Sequence, residues 1–193
     1  MESEGDGEMK AVLISIRPKW CELIASGKKT IEVRKTRPKI ETPFKCYIYE
    51  TKARSDMPTF IDEDGHVLYT GRGQVIGEFV CDKVVRTCGW RLRGDTQQCA
   101  KRTVAEAELP KLACLEIDEI VDYAGSENRE VVGWHISELK IYDKPRELSE
   151  LYHACDTGDK VLCENCDQRF NRFCNGRKYI KRAPQSWCYV EEV

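Results

Sequence analysis

The run Ala11-Val-Leu-Ile-Ser-Ile16 is short, apolar and branched, and it reads as a buried strand. Pro18, directly after it, suits the first turn of a helix, and Trp20, Leu23 and Ile24 fall at i, i+3 and i+4 on one helical face. Gly27 is a stop signal for that helix. Thr30-Ile-Glu-Val-Arg34 then alternates as a strand, with Ile31 and Val33 on one face and Glu32 and Arg34 on the other. A strand, a helix and a second strand therefore follow one another with no room for a long connection, and Lys28 and Lys29 stand at the joint between helix and strand.

This alternation is not continued downstream. Phe44 to Tyr49 reads as a third strand, residues 53–72 as a loop, and Gln74 to Val85 as one long strand with a bulge at Gly77. Cys88 to Lys111 is polar and weakly patterned. Ile117, Ile120, Val121 and Ala124 keep helical spacing up to Gly125. Val131 to Ile136 and Leu139 to Tyr142 read as strands that stop before Pro145, with a slip in apolar phase that predicts a bulge between them. Trp187 to Val190 is the last strand. Short strands at irregular spacing predict a mostly β, α+β chain: a small closed or nearly closed barrel with flanking helices, in preference to a parallel sheet.

The formal net charge of −2 hides a local asymmetry. Lys10 to Arg54 carries 12 Lys/Arg against 4 Glu, Val104 to Leu151 carries 5 against 12 acidic residues, and Lys160 to Arg182 carries 7 against 2. Two basic segments flank an acidic middle. Folded together, the ends would make one positive face, the footprint of a polyanion partner, and the middle would offer a surface to a protein partner. The first nine residues are acidic and have no apolar core, so they read as a disordered leader and not as a signal peptide. No apolar run approaches the roughly 18–20 residues of a membrane span. The 11 cysteines, an odd number with no export signal, predict reduced thiols in the cytoplasm.

The joint is where the chemistry concentrates. Lys29 is a mobile point charge suited to a phosphate oxygen, and Arg34 is a rigid fork suited to bidentate contacts. Gly27 lets backbone approach a ligand. Glu32 can accept from a base amino group or a ribose hydroxyl. Arg17 and Lys19, just past the first strand, can hold a phosphate backbone. Trp20, Tyr47, Trp134 and Trp187 are candidate stacking platforms, Trp187 foremost because Gln185 and Ser186 beside it add polar contacts. The competing reading is a surface ion pair, Glu32 with Arg34 or with Lys29, that merely fixes a turn. The sequence holds no Ser-His-Asp order and no H-E-x-x-H, and its three histidines are dispersed.

Gly27-x-Lys29-x-x-Glu32-x-Arg34 resembles the G-x-K-x-x-E-x-R signature of ASCH domains. The context "LISIRPKWCELIASGKKTIEVRK" places it after a strand and a helix, as in that family. "VIGEFVCDKV", "GWHISELKIYDKP" and "RAPQSWCYVEE" resemble the later strands of phage and prophage members. The resemblance implies a PUA-like β-barrel over residues 10–150, with residues 183–193 returning to it as a strand. It implies binding of RNA or a modified nucleotide in a cleft holding the signature. It also implies an alternative, a hydrolase in the same cleft, because some members are amidohydrolases on acetylated cytidine and others have been proposed as ribonucleases. Lys29 and Glu32 are the catalytic candidates only in that case. The family's catalytic threonine position carries Glu32 here, and a carboxylate does not replace a hydroxyl without changing the chemistry.

Residues 151–182 form a cysteine-rich appendage. Cys155, Cys163, Cys166 and Cys174 offer four thiols, and the central C-x-x-C has the spacing that lets two thiolates reach one tetrahedral Zn2+. The segment has few branched apolar residues, so a structural zinc ion would supply the stability its own packing lacks. The expected outcome is about one equivalent of zinc per chain in protein purified without chelator. Chelation should loosen this segment and leave the β domain folded.

Overall fold

A computed structural model describes residues 10–52, 71–94, 103–154 and 178–193. The expected leader and all four candidate zinc ligands, Cys155, Cys163, Cys166 and Cys174, lie outside the described residues. The chain runs β1 (Lys10–Ile16), α1 (Pro18–Ala25), β2 (Ile31–Arg34), β3 (Phe44–Glu50), β4 (Val75–Cys81), β5 (Val84–Cys88), α2 (Gly89–Arg93), α3 (Val104–Ala113), α4 (Ile117–Ala124), β6 (Glu130–His135), β7 (Ser137–Arg146), β8 (Tyr152–His153), β9 (Lys178–Tyr179) and β10 (Trp187–Glu191).

β1 is the middle strand of a seven-stranded sheet ordered β7-β4-β3-β1-β10-β8-β9. It is parallel to β3 and antiparallel to β10. Val12, Ile14 and Ile16 pack into one core with Ile48, Phe79 and Trp134, while Ala11 and Leu13 pack into a second with Tyr47, Leu151 and Val190. Both faces of β1 are covered, which is why its sequence is a continuous apolar run instead of an alternating one. The turn of α1 differs from the sequence expectation. Pro18, Cys21 and Ile24 are its buried residues, and Trp20 and Leu23 are only half-buried.

The mostly β character holds, but the expected closed barrel does not form. β2, β6 and β5 make a separate three-stranded antiparallel sheet. The stretch read as one long strand breaks at Asp82 and Lys83, so β4 pairs in the large sheet and β5 in the small one. β6 and β7 divide in the same way at Ile136. Helices close the small sheet where a barrel would need strands. Ile31, Val33, Val85 and Val131 pack against Leu92, Leu109, Ala113 and Ile120, so its apolar face is already buried and needs no further pairing.

Two of those helices lie where the sequence is weakly patterned. α3 begins with a capping box: Thr103 Oγ1 accepts from Glu106 N at 3.3 Å, and Glu106 Oε2 accepts from Thr103 N at 2.8 Å. Part of the acidic surplus of the middle segment is answered by two arginines that precede it. Arg91 pairs with Glu106, and Arg93 pairs with Asp118 and Glu127. β7 continues through Pro145 because it is an edge strand, where a missing N–H costs no ladder bond. The bulges expected near Gly77 and after Ile136 are present as register shifts between β4 and β7. Cys46 and Cys81 are fully buried in the large sheet, and burial pushes the Cys81 thiol up to about 12.

β6 carries a glycine for a packing reason. A Cβ on Gly133 would lie 2.8 Å from Ile31 Cγ2 and 2.8 Å from Leu109 Cδ1, so α3 rests directly on the bare backbone of the small sheet. Gly133→Ala should destabilise the fold by about 1–3 kcal/mol, read by denaturant unfolding.

Candidate nucleic-acid interface

The joint between α1 and β2 is a buried ion cluster. Lys29 is 2% exposed, Glu32 6% and Arg34 8%, so the three charges are not a surface pair. Lys29 Nζ donates to Ala113 O at 2.6 Å, the last residue of α3. The backbone N–H of Thr30 donates to Leu112 O at 2.9 Å. Together they satisfy carbonyls that the end of a helix leaves open, and the ammonium sits at the negative end of the helix dipole. Lys29 also lies 5.1 Å from the centre of the Trp20 ring.

Glu32 holds both cations. One oxygen is 3.4 Å from Lys29 Nζ and the other 2.9 Å from Arg34 Nη2. Arg34 Nη2 donates to Ser15 O at 2.6 Å, and Arg34 Nε is buried with no hydrogen-bond partner among the described residues. Ser15 in turn holds the chain just before β10. Its N–H donates to Ser186 O at 2.9 Å and its Oγ to Pro184 O at 2.7 Å.

A cavity of about 920 Å³ opens above this cluster. The ends of β1 and β3 supply Arg17, Thr51 and Lys52. β2 and the residues after it supply Glu32 through Thr36. The α3–α4 region supplies Leu115, Glu119 and Tyr123, and the strap before β10 supplies Ala183 to Ser186. Five cations line it against two carboxylates, and three of those cations, Arg17, Lys35 and Lys52, are exposed.

The structure brings Arg17, Lys29, Glu32 and Arg34 together around one cavity. Three other expected site residues stand apart from its wall. Gly27 has φ +72, a backbone turn that favours glycine, and a Cβ there would meet nothing within 4 Å. Lys19 lies 4.7 Å from the Trp20 ring centre. Trp187 donates from Nε1 to Thr36 Oγ1 at 3.1 Å and packs 6.2 Å from Trp134, so it pins the strap. Trp134 and Tyr47 are fully buried in the cores, which leaves Trp20 as the sequence-selected aromatic that lines the cavity. The wall also takes Lys35, Lys52, Glu119 and Tyr123, which no motif in the sequence marks. Lys35 directly follows the signature, and Lys52 leaves β3 on the same edge where Arg17 leaves β1, a consequence of parallel pairing that no single segment reveals.

Removing one member of a buried cluster strands the others. Glu32→Ala would leave two buried cations facing each other, and it should destabilise the fold by about 3–5 kcal/mol in chemical denaturation.

A family model described as the ASCH domain matches residues 14–154. Among solved structures, ASCH from Zymomonas mobilis is similar at 16% identity and a TM-score of 0.52, over 94% of this chain and 88% of that one. A tyrosine-to-phenylalanine mutant of that protein is similar at 15% identity and a TM-score of 0.53, over 94% and 91%. A serine-to-alanine mutant gives 16% and 0.53, over 96% and 92%. No curated protein matches the chain significantly. With the signature, the order of the strands around it and the match over most of the sequence in agreement, this protein belongs to the ASCH domain family, a PUA-like fold associated with RNA binding.

Proposed function

We propose that the cavity binds single-stranded RNA or a modified nucleotide. The observation that carries this reading is the arrangement of charge. Arg17, Lys35 and Lys52 are exposed on the wall of a concave site, above a floor that itself carries a net positive charge. Exposed cations arranged around a cleft favour a polyanion, and phosphate contacts supply most of such affinity. Trp20 and Tyr123 line the same cavity and bring aromatic surface to it. Lys29 and Arg34 act from the floor. Their role is to set the potential and hold the walls, because both are already bonded to protein oxygens.

A hydrolase in the same cavity has less in its favour. Both oxygens of Glu32 are engaged by cations, and the Lys29 ammonium is bonded to a helix carbonyl, so neither is poised to move a proton. Conversion of N4-acetylcytidine or of mixed-sequence RNA by the purified protein, lost in Glu32→Gln, would select the hydrolase instead.

Binding of single-stranded RNA should weaken linearly in log–log terms as salt rises, by about 0.7 per phosphate contacted. Lys52→Ala should weaken binding to all sequences alike and reduce the salt slope by about one contact. Fluorescence anisotropy across a salt series measures both. Affinity that does not respond to salt overturns the reading.

A further inference from the structure

The strap Ala183–Ser186 lies beyond the residues that the family model matches, yet it forms one wall of the cavity. We propose that Gln185 on this strap reads the edge of the bound base, an inference that rests on the cavity being a nucleotide site.

The position is held on both sides. Pro184 O accepts from Ser15 Oγ at 2.7 Å, and Ser186 O accepts from Ser15 N at 2.9 Å. Trp187 Nε1, one residue further, donates to Thr36 Oγ1 at 3.1 Å, and its ring packs against Trp134 in the core. Gln185 sits between these fixed points with its side chain exposed in the cavity wall. Its amide makes no hydrogen bond among the described residues. A polar group with no partner among the described residues, on backbone that its neighbours hold, is placed to contact the edge of a bound base.

The chemistry of the wall singles out this residue. Arg17, Lys35 and Lys52 only donate, and the Glu119 carboxylate only accepts. Contacts from these cations to phosphate carry no base information. The Gln185 amide presents a donor and an acceptor side by side, the pattern that matches a base edge in two hydrogen bonds. Thr36 Oγ1 is already used by Trp187. Cytosine and uracil have the same shape and exchange donor for acceptor on that edge. An amide serves either by rotating, whereas a carboxylate in its place could only accept: it bonds the exocyclic amino group of cytosine, while the one donor of uracil, N3–H, lies between two carbonyls that repel it.

The test uses the full chain and two probes, short oligocytidylate and short oligouridylate, titrated at fixed salt near pH 7. Gln185→Glu should raise the preference for oligocytidylate over oligouridylate by at least about 5-fold relative to wild type. Gln185→Ala should weaken both oligonucleotides. A preference unchanged in the Glu variant, or an Ala variant that binds both like wild type, overturns the proposal while leaving the RNA site standing. A wild-type protein that binds neither oligonucleotide overturns both the site and its reader. Lys52→Ala separates the two roles: it should lower affinity for both probes and leave their ratio as in wild type.

Discussion

Glu32 between Lys29 and Arg34 is the contact on which the arrangement of elements depends. Three ionised groups out of water carry a desolvation cost of several kcal/mol per ion, recovered only if each finds good partners. Here each reaches into a different element. Lys29 ties β2 to the end of α3, Glu32 joins the two cations, and Arg34 ties β2 to β1 through Ser15. The small sheet with its helices and the large sheet are therefore joined by polar geometry as well as by apolar packing. A hydrophobic substitute could fill the volume but could not specify which helix end meets which strand.

The cavity is a by-product of that junction. β1 and β3 run parallel, with Ile16 opposite Glu50, so the chain leaves both strands on the same edge and places Arg17 and Lys52 there. Lys52 is further constrained by Gly73, where a Cβ would come within 2.3 Å of the lysine side chain. That glycine has φ +71, and its neighbours are fixed: Arg72 N donates to Glu50 Oε2 at 2.8 Å, and Glu50 N donates to Gln74 O at 2.9 Å. The stem of Lys52 thus crosses a bare, anchored stretch of backbone on its way to the cavity. Direction of this kind matters for a long side chain, which otherwise loses much rotamer freedom on meeting a ligand.

Local pattern and long-range pairing were legible to different degrees. The β1–α1–β2 unit could be read because each part has a period and a stop signal of its own, and the signature could be read because its residues are close in sequence. α3 was harder. Its capping box is visible at Thr103 and Glu106, but only Glu106, Leu109 and Ala113 are buried, too few to show a helical period. The split of Gln74 to Val85 into two sheets was not legible, since Asp82 and Lys83 interrupt the apolar pattern no more than a bulge would. The burial of the ion cluster was hidden for a related reason. Alternation shows that Glu32 and Arg34 share a face, and only the partners of that face decide whether it meets water or β1. Trp187 has polar neighbours in the sequence, and its indole N–H donates to Thr36 Oγ1, a partner 151 positions away that no local pattern reveals.

Ser15 and Pro184 are separated by 169 positions, and their bond closes a loop that spans most of the chain. Contacts this distant in sequence are costly to close, because chain entropy must be lost before they return any stabilisation. The wall nearest the first strand therefore carries a large loop-closure cost. Occupancy of the cavity and completion of the large sheet become linked equilibria: whatever binds against the strap also holds β10 on β1, and a chain whose strap has come away presents the same cations around an open trough.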